Sequence, residues 1–113
     1  MQNKIILVTT DSFGTGNDPA LGENVMETYF TVLKQQSDLP AAIFFMNRGV
    51  YCLTEQSLCS LHLKEIEEKG VKVFACKTCV DHYNVENELA AGEISGMAHF
   101  VELSATYEVI TIA

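Results

Sequence analysis

The chain is 113 residues long and carries seven basic against fifteen acidic residues, for a formal charge of −8. That length allows one domain, spanning residues 1–113. Such a domain buries over ~60% of the surface its unfolded form exposes, enough for a core without disulfide staples. The charge repels phosphate backbones and anionic bilayers, so neither nucleic acid nor a membrane surface is an expected partner.

Lys4 to Thr10 is apolar and β-branched, as expected of a strand buried on both faces. A polar, Gly-rich loop follows from Asp11 to Asn17. Asp18-Pro19 then reads as an N-cap with proline in the first helical turn. This helix is expected to run to about Gln36, burying Leu21, Val25, Tyr29, Val32 and Leu33. Ser37 to Pro40 breaks it, and Ala41–Met46 is the second strand. Asn47-Arg48-Gly49-Val50 is a loop at that strand's end. Thr54 can cap a second helix with Leu58, Leu61 and Ile66 facing the core, ended by Gly70. Val71–Ala75 is the third strand, with a short helix after it around Val80–Tyr83 and a turn over Asn87–Ala91. Gly92–Gly96 frames a small fourth strand, Met97–Thr106 is a helix, and Glu108–Ile112 is the last strand. On that helix Met97, Phe100, Val101 and Ser104 lie close to one face.

Strands alternating with helices imply βαβ units and a parallel sheet covered on both sides. Functional loops then sit at the carboxyl ends of the strands. Three loops qualify: Asp11–Asp18, Asn47–Leu53 and Cys76–Tyr83. The apolar runs Ile5–Val8 and Ala41–Met46 are too short for a signal peptide or a membrane span, so a cytoplasmic chain with mostly reduced thiols is expected. A framework of structural disulfides is not the natural reading of its four cysteines.

The stretch with most chemical content is Cys76-Lys77-Thr78-Cys79. A thiol between a strand and a helix meets free backbone N–H groups, which together with the helix dipole favour thiolate. Lys77 adds positive charge nearby, whereas Asp81 opposes it. From spacing alone, chemistry and simple packing both stand open for these cysteines. His82 can share a helical face with Cys79, and its plainest role is a surface side chain. Cys76, Cys79 and His82 offer only three zinc ligands where a structural site needs four, so no metal is expected. The Gly14/Gly16 loop can cradle an anion at a helix start, but it lacks the lysine of a P-loop, and a tight polar loop is preferred. Arg48, the single arginine, can pair with an anionic ligand or a carboxylate. Cys59 reads as packing and Cys52 as an exposed loop thiol. Asp11, Gly14, Asn47, Arg48 and His82 are therefore the candidate binding residues, with no cofactor implied.

The chain resembles the DsrE/DsrF-like proteins of sulfur metabolism, most of all the DsrE-type half of YedF-like proteins. The residues that carry the likeness are Ile6 through Gly16 with Asp18, Ile43 through Val50, Leu63 through Val73 into Cys76–Cys79, and Gly92 through Met97. The resemblance implies a three-layer α/β/α domain with a mainly parallel five-stranded sheet. It also implies oligomers, often trimers or hexamers. In sulfur-relay members a cysteine after the third strand carries sulfur as a persulfide; that cysteine falls on Cys76, with Cys79 as the second thiol of a YedF-like CxxC. YedF-like proteins also have an N-terminal TusA-like domain, which this sequence lacks before its first strand, so a sulfur donor or acceptor would come from another protein. The expected function is thus a sulfurtransferase-like persulfide carrier. Two alternatives are a non-catalytic oligomeric binding module and a dithiol redox protein using Cys76 and Cys79.

Overall fold

The computed structural model describes every residue, Met1–Ala113. Its strands are β1 (Lys4–Val8), β2 (Ala42–Phe45), β3 (Lys72–Cys76), β4 (Glu93–Ser95) and β5 (Glu108–Ile112). The α-helices are α1 (Pro19–Lys34), α2 (Ser60–Glu68), α3 (Lys77–Tyr83) and α4 (Met97–Thr106), with 3₁₀ helices at Asn47–Leu53 and Glu86–Glu88. All strand pairs are parallel and the order is β4-β3-β2-β1-β5. No helix is long and apolar enough to cross a membrane.

This order fixes the layers. The connections from β1 to β4 step one strand at a time in one direction, and right-handed crossovers then place α1 and α2 on the same face. The connection from β4 to β5 steps back across the whole sheet, so α4 lies on the opposite face. It spans four strand spacings, about 19 Å.

Period-two alternation divides the core accordingly. Ile6, Val8, Ile43, Phe45, Val73 and Ala75 pack against Met26, Phe30, Leu63 and Ile66. Ile5, Ala42, Phe44, Phe74 and Cys76 meet Phe100 and Leu103 of α4 on the other face. Phe30, Phe44, Phe45, Ile5 and Ile6 are completely buried. Each such side chain stabilises the fold by about 1.5–3 kcal/mol relative to an exposed one.

The expected stripe on α1 is rotated by one residue. Gly22, Met26, Phe30 and Leu33 face the sheet, whereas Leu21, Val25 and Val32 are exposed. Gly22 explains the rotation: a Cβ there would lie 2.0 Å from Ser12 Oγ, so only glycine allows the helix to close onto the first loop. The second helix also differs from expectation. Thr54 does not cap it; its hydroxyl donates back to Tyr51 O at 2.8 Å, and α2 begins only at Ser60. Cys59, Ser60, Leu63 and Ile66 are its buried side, and Leu58 and Leu61 are exposed. On α4, Met97 and Val101 are likewise exposed while Phe100 and Leu103 pack inward. Gly70, at φ +96, does terminate α2 as expected.

Candidate functional site

The carboxyl ends of β1, β2 and β3 lie side by side, so the three candidate loops converge at one end of the sheet. Gly49 makes the middle one possible. A Cβ at this position would sit 2.3 Å from Val8 O, so the 3₁₀ helix over Asn47–Leu53 can press on the end of β1 only without a side chain. Asn47 takes the left-handed turn into that helix with φ 52, a conformation asparagine tolerates better than most residues.

The tight turn aims the backbone N–H of Asn47 at the thiol of Cys79, with N···Sγ 3.0 Å. Cys79 is half-buried in the first turn of α3. Burial pushes its thiol pKa up; the Asn47 N–H pulls it back down, and neighbouring Cys76 adds to the rise. Cys76 ends β3 and points into the layer beneath α4, with only 3% of its surface exposed. The thiol does not cap α3, so the expected grip of free helix N–H groups on Cys76 is not found. Lys77 does not serve it either, because its ammonium is paired with Asp81 at 2.9 Å on the exposed side of α3.

Arg48 stands next to Asn47 and forms a two-pronged pair with Asp11, Nε to Oδ1 at 3.2 Å and a terminal nitrogen to Oδ2 at 3.1 Å. Its guanidinium lies 4.7 Å from the Tyr51 ring centre and 5.9 Å from that of Tyr83. The two tyrosines are themselves 4.9 Å apart. One cation is thus fixed by a carboxylate and two aromatic rings beside the residue that meets Cys79.

The model of the DsrE/DsrF-like family matches residues 4–112 of this chain. The chain belongs to the DsrE/DsrF-like family. Its fold is that of solved members of this structural group. The YchN protein of E. coli is 22% identical with a TM-score of 0.70, over 99% of this chain and 100% of its own. A protein of unknown function, MTH1491 from Methanobacterium thermoautotrophicum, is 15% identical with a TM-score of 0.65, covering 96% of each chain. BT1422 from Bacteroides thetaiotaomicron, also of unknown function, is 14% identical with a TM-score of 0.64, over 97% of this chain and 95% of its own. No curated protein matches the chain.

Within this family fold, Asp11, Asn47, Arg48, Cys76 and Cys79 come together at the sheet's end. Gly14 does not join them. Its N–H is spent on Ala113 O at 3.1 Å, and the adjoining start of α1 is capped by the Asp18 carboxylate on Leu21 N. An anion cradle there is already filled by the chain's own groups. His82 is an exposed side chain against Tyr83, ring centres 4.9 Å apart. It does not gather with Cys76 and Cys79 into a metal-ligating group. Tyr51 and Tyr83 were missed as site residues. The signal for Tyr51 was its position three residues after Arg48 on a tight helix, where side chains three apart eclipse.

Proposed function

We propose that this DsrE/DsrF-like protein handles sulfur by transfer between cysteines, Cys79 being the thiol that meets the partner and Cys76 the one that carries the persulfide. The observation that carries this reading is the Asn47 N–H on the Cys79 sulfur at 3.0 Å, at the open end of a sheet whose family is associated with sulfur relay. The Asn47 N–H offsets part of the rise that burial imposes on this thiol, and the thiolate is the form that attacks sulfur. In the first step the Cys79 thiolate attacks the outer sulfur of a partner's persulfide. The partner's S–S bond breaks and the partner leaves as a thiolate. The Cys76 thiolate then attacks the sulfur on Cys79 and releases Cys79. Burial of Cys76 beneath α4 supports a storage role, since a persulfide there is shielded from soluble thiols. Arg48, paired with Asp11 and 57% exposed, stands beside the entry point with guanidinium N–H donors to spare for an anionic sulfur species.

The partner in this reading is a donor or acceptor protein in a reducing, cytoplasmic setting. The protein itself is a homo-oligomer, supported by the exposed Leu21, Val25 and Val32 on α1, Leu61 on the neighbouring α2 and Leu58 just before it. Sedimentation showing only monomers at micromolar concentration would count against assembly. The transfer is tested by incubation with a persulfide donor, intact-mass measurement and mapping of the modified cysteine. Cys79→Ser should slow loading of Cys76 by at least about tenfold. Cys76→Ser should leave a persulfide on Cys79 that mild reductant strips quickly. Normal loading of the double variant, with the sulfur mapped to Cys52 or Cys59, refutes the assignment.

A further inference from the structure

Transfer of sulfur from Cys79 to Cys76 requires a group that takes a proton. Cys76 must lose its proton to attack, yet only 3% of its surface is exposed, and Ile5, Phe44, Met46 and Phe74 share its layer. Lys77 is a cation paired with Asp81 on the exposed side of α3, and Asp11 is held by Arg48. Cys52 and Cys59 pack on the other face of the sheet, and both are buried, although Cys52 was expected in an exposed loop. Cys79 itself is bonded to the sulfur being handed over.

A hydroxyl and an imidazole lie on the β4 side of Cys76. Ser95 is its register partner across the parallel β3–β4 ladder. Paired residues of such strands project to one face, about 4.8 Å apart, so the Ser95 hydroxyl and the Cys76 thiol are neighbours on the α4 side of the sheet. Ser95 Oγ is 2.8 Å from His99 Nδ1. The first turn of α4 sets the imidazole, with Gly96 O accepting the His99 N–H at 3.1 Å. The Phe74 ring meets it edge-on, with ring centres 4.5 Å apart. Phe74 stands two residues before Cys76 on the same face of β3, so the imidazole rests over the strand that carries the thiol. Ser95 and His99 are only half-buried and so connect the covered sulfur with solvent.

We propose that Ser95 and His99 form the proton outlet of Cys76, the hydroxyl taking the thiol proton as it gives its own to His99 Nδ1. The pair serves the transfer from Cys79 to Cys76 and rests on that reading. His99 carries its own proton on Nε2, so Nδ1 accepts from Ser95, and the Ser95 oxygen keeps a lone pair for the Cys76 S–H. A rotation of either side chain about χ1 closes that last contact across one strand spacing. As the proton leaves, the Cys76 sulfur attacks the outer sulfur of the Cys79 persulfide. A new S–S bond forms on Cys76, the S–S bond on Cys79 breaks, and its electron pair leaves on the Cys79 sulfur. The products are a Cys76 persulfide, a Cys79 thiolate and a His99 imidazolium, which releases its proton to solvent. One sulfur atom changes thiols, and no oxidant or reductant is consumed.

The test loads Cys79 of the full chain with one equivalent of glutathione persulfide and follows the sulfur over time by rapid alkylation. Cleavage after Lys77 separates the two cysteines for mapping. At about pH 6.5, His99→Gln and Ser95→Ala should each slow the step from Cys79 to Cys76 by about a hundredfold, with loading of Cys79 unchanged. Ser95→Thr, which keeps a hydroxyl, should stay within about threefold of the native rate. The deficit of His99→Gln should shrink towards about pH 9, as hydroxide replaces the imidazole, whereas a merely structural role leaves it constant. In the native chain, nitrogen NMR should find the neutral His99 ring protonated on Nε2, a result that needs no variant. Native transfer rates in both His99→Gln and Ser95→Ala overturn the proposal, as does a proton on Nδ1. A native chain that loads Cys79 but never moves sulfur to Cys76 overturns the relay reading, and the proton outlet with it.

Discussion

Replacing Gly49 by alanine puts a methyl group against the carboxyl end of β1. The added Cβ would lie 2.3 Å from Val8 O, 3.0 Å from Val8 C and 3.4 Å from Thr10 N. None of these is the tip of a flexible side chain. Val8 O already accepts the Met46 N–H at 2.9 Å, and Val8 is paired with both Phe45 and Ile112. The 3₁₀ helix over Asn47–Leu53 must therefore back away by about an ångström, against the usual 1–3 kcal/mol cost of overpacking. With backbone on both sides the cost should fall in the upper half of that range, about 2–3 kcal/mol. For a chain of this length each kcal/mol is worth about 4 °C, so the Tm should fall by about 8–12 °C. Thermal and urea unfolding followed by circular dichroism measure this, with an unchanged m-value confirming that the native state alone is affected. Gly16→Ala is the control, since nothing lies within 4 Å of a Cβ there. Asn47 moves with the helix, so the Cys79 thiol should also titrate higher, as read by thiolate absorbance. A Gly49→Ala protein that melts within about 2 °C of the native one, at equal m-value, refutes the close-approach argument.

The thiols should also react in a fixed order. Cys79 is the one cysteine of the four that is not buried, so iodoacetamide should label it first in the native protein. Its rate should still be rising through pH 9 because burial holds the pKa up, and simultaneous labelling of several cysteines would contradict this. Stability should fall at alkaline pH. Cys52 and Cys79 keep their protons in the folded state above the unfolded-chain value of about 8.5. Their contribution is complete below that pH and is lost as pH rises through the folded values, with Cys59 acting in the opposite sense. The urea midpoint should drop between about pH 8 and pH 10, less so in Cys79→Ser, and equal drops in the two proteins would rule out the Cys79 part. Phe30, fully buried with ring centres 5.3 Å from Tyr29 and 6.0 Å from Phe45, should cost about 3–5 kcal/mol on truncation to alanine. A loss below about 1 kcal/mol would mean that the core closes over the gap.

The alternation of strands and helices was legible, because apolar β-branched runs agree with the Asp18 cap and the Gly70 stop, although Thr54 misplaced the start of α2. Helix faces were not. On α1 two apolar stripes lie side by side, Leu21-Val25-Val32 and Met26-Phe30-Leu33, and periodicity scores them alike. Only the close approach at Gly22, which depends on the distant Ser12 loop, decides between them. The convergence of the three loops depended on strand order, which no local pattern encodes. Arg48 and Asp11 were each legible as candidates, but their pairing was not, since it joins residues 37 positions apart. The same holds for Cys79. Its distinguishing partner is a backbone N–H from another loop, whereas the local argument pointed to Cys76 and to helix N–H groups that do not meet it.

The place of β5 in the sheet has a consequence for assembly in the cell. β1 is the second strand from one edge, and the neighbour that covers its outer side begins at Glu108, in register with Lys4 and tied to it by an ion pair of 2.8 Å. During synthesis at about 5–20 residues per second, the amides of β1 therefore wait roughly 5–20 s on the ribosome for the strand that will cover them. Throughout that interval a nascent chain can offer Ile5–Val8 to any other extended segment. Ribosome-bound chaperones, or slow translation after β4, would matter more to the yield of this protein than to one whose strands pair in the order they are made.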